Sequence, residues 1–217
     1  MAHADISDME GFELGKPALV CRWRLAHRKL PLENRHMRAL AARTANGTRV
    51  TPELVAWAKQ HIEWTLDEGS VEHPDGVLML IVDEQGRAAM TVGPYIPLED
   101  TTVRGLARRS KRAADEAFQT GVAPEALWAV RDDELIWDFV DGSTPSGASS
   151  LVAQLAQTLG FRMRRREGLA DEVLAGTVLL DEALLVSDEH GIVVAEDAAG
   201  KHGVRFADGY KRLMEKQ

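Results

Sequence analysis

Residues 76–92, GVLMLIVDEQGRAAMTV, hold the pattern that decides the class of fold. Two apolar runs, Gly76 to Val82 and Ala88 to Val92, lie on either side of the polar turn Asp83-Glu84-Gln85-Gly86. Strand-like runs joined by a short turn that contains glycine predict a β-hairpin. Because the chain also shows helical patterns, such a hairpin favours a mixed α+β architecture over a doubly wound parallel sheet.

The segments before the hairpin predict one strand and two helices. Residues 17–25 partly alternate apolar and polar side chains, which indicates a strand. Residues 33–45 have apolar side chains at helical spacing, and we expect this helix to end at Asn46-Gly47. Thr51-Pro52-Glu53 offers an N-cap, a proline at the first helical position and an acid in the first turn. A second helix is therefore expected up to about Gly69.

Residues 93–97, GPYIP, interrupt the regular pattern after the hairpin. We expect a boundary there between a small N-terminal α+β lobe, residues 1–96, and a larger C-terminal α/β lobe, residues 97–217. The elements predicted for the second lobe are helices at 103–120, 148–159 and 205–215 and strands at 126–130, 134–139, 161–165, 174–186 and 192–195.

Composition narrows the classes of partner. The 217 residues include 26 Lys and Arg against 34 Asp and Glu, a net charge of −8, which disfavours general binding to nucleic acid or to an anionic membrane. The single cysteine, Cys21, excludes an intrachain disulfide. The apolar stretches are too short to span a bilayer, and residues 1–15 do not resemble a signal peptide. We expect a cytoplasmic protein with no nucleic-acid and no membrane partner.

Common catalytic motifs are missing from the sequence. The seven histidines show no metal-ligand spacing, so no metal is expected. The patterns G-x-S-x-G, G-x-G-x-x-G and G-x-x-x-x-G-K-[ST] do not occur. Hydrolase, dinucleotide-binding and P-loop functions therefore have no support.

One basic cluster falls on the predicted helix 103–120. Arg104, Arg108, Lys111 and Arg112 share a face there. A solvated face is favoured over a phosphate or nucleic-acid surface, because few aromatic residues accompany these charges.

The segment 144–150, TPSGASS, comes directly before a predicted helix. Small residues at a helix N-terminus leave backbone N–H groups free to hold a phosphate. The same residues also suit an ordinary serine-capped helix, and both interpretations stay open. A second small-residue segment, Ala175-Gly176-Thr177, has a similar character.

Four stretches, in this order, resemble the motifs of one family. Residues 32–40, LENRHMRAL, resemble an H-x-x-R-L helix, and residues 78–92 resemble the hairpin that ends a small domain. Residues 144–156 resemble a T-P and P-G-[IV]-T-R segment before a helix, and residues 169–177, LADEVLAGT, resemble an A-D-E-V-x-x-x-G-T strand. The family is the class IV aminotransferases, pyridoxal-phosphate (PLP) enzymes of fold type IV that include branched-chain and D-amino acid aminotransferases and aminodeoxychorismate lyase.

The resemblance implies a two-lobe, D-amino acid aminotransferase-like fold and a homodimer. It also implies a PLP-dependent aminotransferase or lyase that acts on a small amino compound, with Lys111 as the catalytic lysine. The cofactor-binding residues that it implies are Arg38, Asp138, Gly147, Ala148, Ser149 and Thr177.

An alternative function stays open beside this one. Arg104 stands in the register of the family's lysine, and arginine cannot form a Schiff base. The segment between Leu127 and Thr144 is also short for the strands that the family places there. The alternative is a catalytically impaired fold-type IV relative that binds a small ligand or a partner.

Overall fold

The computed structural model describes residues 13–140 and 142–215. This part of the chain forms six α-helices and ten β-strands. The first seven elements are β1 (Pro17–Arg24), α1 (Glu33–Ala41), β2 (Thr44–Ala45), β3 (Thr48–Arg49), α2 (Pro52–Gly69), β4 (Val77–Asp83) and β5 (Ala88–Gly93). The others are α3 (Val103–Thr120), β6 (Ala126–Arg131), β7 (Glu134–Trp137), α4 (Gly147–Thr158), β8 (Arg162–Arg165), α5 (Leu169–Ala175), β9 (Glu182–Ser187), β10 (Gly191–Val194) and α6 (Lys201–Glu215). The segment 1–12, which holds most of the stretch tested for a signal peptide, lies outside the described residues, as do Asp141 and residues 216–217.

The first sheet has the strand order β1-β4-β5, and both pairs are antiparallel. The predicted hairpin is confirmed, since β4 pairs with β5 from Val77 opposite Gly93 to Val82 opposite Ala88. Alternate residues of a strand point to one face. Leu78 and Leu80 accordingly join one buried cluster with side chains of α1 and α2, such as Met37 and Ile62.

The second sheet has the order β10-β9-β6-β7-β8 and is covered on both faces. Its pairs are antiparallel except β7 with β8, which are parallel and joined through α4. Trp128 of β6 packs in the cluster that includes residues of α4 and α6, whereas Leu127 packs in the cluster that includes α3 and α5. Alternate side chains of β6 therefore pack into two separate cores.

Two sequence predictions of secondary structure are wrong in part. The first helix ends at Ala41, because Thr44–Ala45 and Thr48–Arg49 pair as a two-residue hairpin. Asn46 and Gly47 both have positive φ, 49° and 73°, which suits the turn of a hairpin. The strand predicted over 174–186 is limited to β9, since α5 extends through Ala175.

The α+β fold class is confirmed. One sheet is built from residues 17–93 and the other from residues 126–194, so the predicted boundary at residue 96 lies between them. The division into two independent lobes stays a prediction. Among residues 13–140 and 142–215, no helix is long and apolar enough to cross a membrane.

Candidate functional site

A cavity of about 640 Å³ opens between α3, the loop that follows β7, and the N-terminal ends of α4 and α5. This volume is in the range of sites that hold small molecules. Its wall includes apolar side chains and polar ones from both halves of the chain. The polar side chains are Arg43, Thr44, Ser110, Lys111, Glu125, Asp138, Ser143, Thr144, Ser146, Ser149, Glu167 and Asp171.

Lys111, the predicted catalytic lysine, lines this cavity from α3. Its Nζ lies 2.7 Å from Oδ1 of Asp171, and its side chain is 44% exposed. The hydrogen bond that Lys111 donates to Asp171 raises the pKa of Lys111, so the ammonium is stabilised in its charged form. A nucleophilic amine has to lose that proton first. Arg104, which stands in the register of the family's lysine, donates through Nη1 to the carbonyl oxygen of Leu174 at 3.0 Å.

Asp138 also lines the cavity, but both of its carboxylate oxygens are engaged. Oδ1 accepts the N–H of Gly168 at 3.0 Å, and Oδ2 accepts the N–H of Ala170 at 2.8 Å. These bonds satisfy donors at the beginning of α5. Burial raises the pKa of Asp138 and outweighs the opposite effect of the N–H donors.

The N-terminus of α4, where a phosphate was one of two predictions, is saturated by groups of the chain itself. Ser146 is the N-cap, and its Oγ accepts the N–H of Ser149 at 3.1 Å. The buried carboxylate of Asp188 accepts the N–H of Gly147 at 3.2 Å and of Ala148 at 2.7 Å. Burial alone would raise the pKa of Asp188, but the neighbouring His36 and these N–H groups hold it below its usual value.

Arg38 and Thr177 lie on exposed surface and are not part of the cavity wall. The Oγ1 of Thr177 donates to the carbonyl oxygen of Glu172 at 3.2 Å, at the end of α5. The contacts implied for a cofactor phosphate therefore do not converge in the described part of the chain. As they stand, these residues do not fit the phosphate of PLP.

Asp188 was missed by the sequence analysis, although a signal for it exists. The Asp-Glu pair that the A-D-E-V-x-x-x-G-T motif contains is found at Asp171-Glu172 and again ten residues later at Asp181-Glu182. Only the second pair leads into a strand, β9. In that register the position of the motif's threonine is Asp188.

Two buried polar atoms in residues of the cavity wall have no partner among the described residues. They are the Oγ of Ser149 and the Nε1 of Trp137. Ser149 is 1% exposed and Trp137 is 2% exposed. A buried donor left without a partner costs about 1 to 3 kcal/mol. A ligand with suitable acceptors would satisfy them.

A charge cluster beside the cavity is internally neutralised. Atoms of Glu125, Glu189 and His190 that could bind a metal lie within 4.8 Å of one another. However, Arg109 binds both carboxylate oxygens of Glu125 through its Nε at 3.1 Å. A guanidinium therefore holds the position that a cation would need. Burial lowers the pKa of His190 to about 4.

Three basic side chains of α3 are paired with acids, and two of them, Arg108 and Lys111, remain 48% and 44% exposed. Arg108 binds Asp100, as Lys111 binds Asp171 and Arg109 binds Glu125. This pairing agrees with the preference for a solvated structural face over a phosphate surface.

The chain has the fold of the fold-type IV PLP enzymes, because solved structures of that class match it. A hypothetical aminotransferase from Mycobacterium tuberculosis has a TM-score of 0.60 at 13% identity, over 99% of this chain and 92% of that one. The 4-amino-4-deoxychorismate lyase from Pseudomonas aeruginosa has a TM-score of 0.56 at 14% identity, over 90% of both chains. The fold IV transaminase from Curtobacterium pusillum has a TM-score of 0.57 at 13% identity, over 92% of this chain and 84% of that one.

The similarity is one of fold. The sequence matches no family model and no curated protein. The M. tuberculosis protein has also been solved in a PLP-bound form, which matches with a TM-score of 0.55 at 13% identity.

Proposed function

We propose that this chain is a small-ligand-binding protein of fold type IV whose cavity takes a small carboxylate with an apolar body. The observation that carries the proposal is the pair of unpartnered buried groups, Ser149 Oγ and Trp137 Nε1, in the wall of one cavity. An indole N–H can only donate a hydrogen bond, and a serine hydroxyl can donate one. The preferred ligand therefore carries acceptor oxygens.

The charges of the wall support an anionic ligand. Three of the four carboxylates that line the cavity are engaged by other groups, Glu125 by Arg109, Asp138 by two backbone N–H groups and Asp171 by Lys111, whereas the fourth, Glu167, is exposed. Arg43 is buried in the wall and uses its Nη1 on the carbonyl oxygen of Val20 at 2.9 Å. A buried cation and free donors, beside carboxylates of which three are already paired, favour a carboxylate over an amine.

The apolar part of the wall supports a hydrophobic ligand body. It consists of Ala114, Ala117, Phe118, Val122, Pro124, Ala126, Trp137, Phe139, Val140, Pro145 and Ala170. Removing apolar surface from water contributes roughly 25 cal/mol per Å². An aromatic or branched aliphatic carboxylate satisfies both the polar and the apolar parts of the wall.

The competing function is a PLP-dependent aminotransferase or aminodeoxychorismate lyase-like enzyme that acts on a small amino compound. One observation favours it: Lys111 and Asp138 line the same cavity. Against it stand the ion pair of Lys111 with Asp171, the engaged oxygens of Asp138, and the lack of converging phosphate contacts. We rank it second.

Isothermal titration calorimetry tests the first proposal with two matched probes, phenylacetate and phenethylamine. We expect saturable binding of phenylacetate and no binding of phenethylamine. Ser149→Ala should weaken the binding of phenylacetate by about fivefold to tenfold, since a hydrogen bond contributes ~1 kcal/mol. Ser150→Ala is the control, because Ser150 bonds the carbonyl of Gly147 and is not part of the cavity wall. Tighter binding of the amine, or no binding of either probe, would overturn the proposal.

A homodimer is also proposed by resemblance, and a cytoplasmic setting is proposed from the sequence. Phe118 supports the dimer, because its side chain is 95% exposed at the edge of the cavity, where a second copy could cover it. Light scattering after size exclusion should give twice the mass of one chain for the wild type. For Phe118→Glu it should give the mass of a single chain. A monomeric wild type contradicts this.

A further inference from the structure

The carboxylate of Asp188 occupies the position at the beginning of α4 that a phosphate was predicted to take. We infer that Asp188 acts as a built-in replacement for the cofactor phosphate, so that this chain completes its fold with no anion bound. The inference concerns α4 and does not rest on the ligand proposed for the cavity.

The contacts of Asp188 are those expected of an anion at a helix N-terminus. Two backbone N–H groups, of Gly147 and Ala148, donate to its two oxygens. The positive end of the helix dipole favours negative charge at this position. Nδ1 of His36 lies 3.6 Å from Oδ2, which is an ion-pair distance rather than a hydrogen bond. The Asp188 side chain is only 5% exposed, so this charge is satisfied inside the protein.

The fit around the carboxylate leaves no space for a second anion. A Cβ atom on Gly147 would lie 2.8 Å from Nδ1 of His36 and 3.3 Å from Oδ1 of Asp188. The three groups are therefore in close contact. A phosphate that entered would have to displace the Asp188 carboxylate, which would then be a buried charge without its donors.

The backbone of Asp188 is anchored independently of its side chain. Its carbonyl oxygen accepts the N–H of Arg24 in β1 at 2.9 Å. The residue thus ties together β1, α1, the end of β9 and α4. Removal of the side chain leaves the backbone anchor and exposes the N–H groups of Gly147 and Ala148.

The test compares inorganic phosphate with chloride at matched ionic strength. In phosphate, the midpoint of thermal unfolding of the wild type should rise only by the small, non-saturating amount that a kosmotropic salt gives without a binding site. Asp188→Gly should unfold at a lower temperature in chloride, and phosphate should raise its midpoint in a saturable way, because the freed N–H groups then bind the anion. Asp171→Ala, which removes an exposed cavity carboxylate, should respond like the wild type.

Two further measurements keep the inference testable if Asp188→Gly does not fold. Asp188→Thr restores the motif residue and should show the same response to phosphate. In the wild type, the amide resonances of Gly147 and Ala148 should not shift when phosphate is titrated. Equal stabilisation of the wild type by phosphate, a shift of those two amides, or no phosphate response in a folded Asp188 variant would overturn the inference. None of these results depends on phenylacetate binding.

Discussion

The ammonium of Lys111 lies 2.7 Å from a carboxylate oxygen of Asp171, across the opening of the cavity from α3 to α5. The side chains are 44% and 61% exposed, so water screens the pair. Exposed ion pairs contribute about 0 to 1 kcal/mol to stability. The closest lysine to the expected catalytic position is therefore used for a weak surface contact.

Lys111→Ala should lower the free energy of unfolding by no more than about 1 kcal/mol. Urea denaturation followed by circular dichroism measures this change, with Lys111→Arg as the control that keeps the charge. A loss above about 2 kcal/mol would contradict the assignment to an exposed pair, because losses of that size come from buried groups.

Ser146→Ala should destabilise the protein by about 1 kcal/mol, since it removes the N-cap of α4. The reason is the lost hydrogen bond from the N–H of Ser149 to Ser146 Oγ. Ser143→Ala is a suitable control, because Ser143 bonds the loop carbonyl of Val140 before the helix. Equal effects of the two substitutions in chemical denaturation would argue against a specific cap.

Asp83→Asn should destabilise the protein at neutral pH and have little effect in strong acid. Burial would raise the pKa of Asp83, but N–H donors from Gly15, Arg87 and Gln85 and the Arg87 side chain lower it to about 2. A carboxyl group whose pKa is lowered in the folded state stabilises the fold at pH values above its ordinary pKa, which is 3.8 for Asp83. The difference in unfolding free energy between wild type and variant should thus be constant above about pH 5 and shrink as the pH falls from about 4 to 2. A difference that is independent of pH would refute this assignment.

His190 should titrate with a pKa of about 4, because burial disfavours its charged form. The ordinary value is 6.5, so the folded state binds the proton less well than the unfolded state. Stability is complete above about pH 6.5 and falls as the pH drops towards 4. Histidine ring signals in an NMR titration give this pKa directly, with His190→Gln used for assignment. A midpoint near 6.5 would show that the ring is solvated.

The parts of the fold that the sequence predicted best are those fixed by local pattern. Helix α3 has the predicted bounds, and the hairpin β4-β5 follows its apolar runs and turn residues. Residues 169–177 resemble a strand motif of the family, whereas residues 169–175 form helix α5. This helix depends on Asp138, which binds N–H groups about thirty residues away.

The candidate site was less predictable for the same reason. Lys111, Asp138 and Ser149 do share one cavity, as their order in the motifs suggested. The contacts that decide its chemistry join distant segments, such as Asp188 with Ala148, forty positions apart. Neither composition nor spacing encodes such a contact, and the repeated Asp-Glu pair was the single local clue.

In this fold-type IV chain, the carboxylate of Asp188 takes the place of the cofactor phosphate at the beginning of α4. Incubation with PLP, reduction with borohydride and intact-protein mass spectrometry test it most directly. We predict only a low level of non-specific labelling of exposed lysines, equal in the wild type and in Lys111→Ala. A phosphopyridoxyl adduct that maps to Lys111 and is lost in Lys111→Ala would contradict the account.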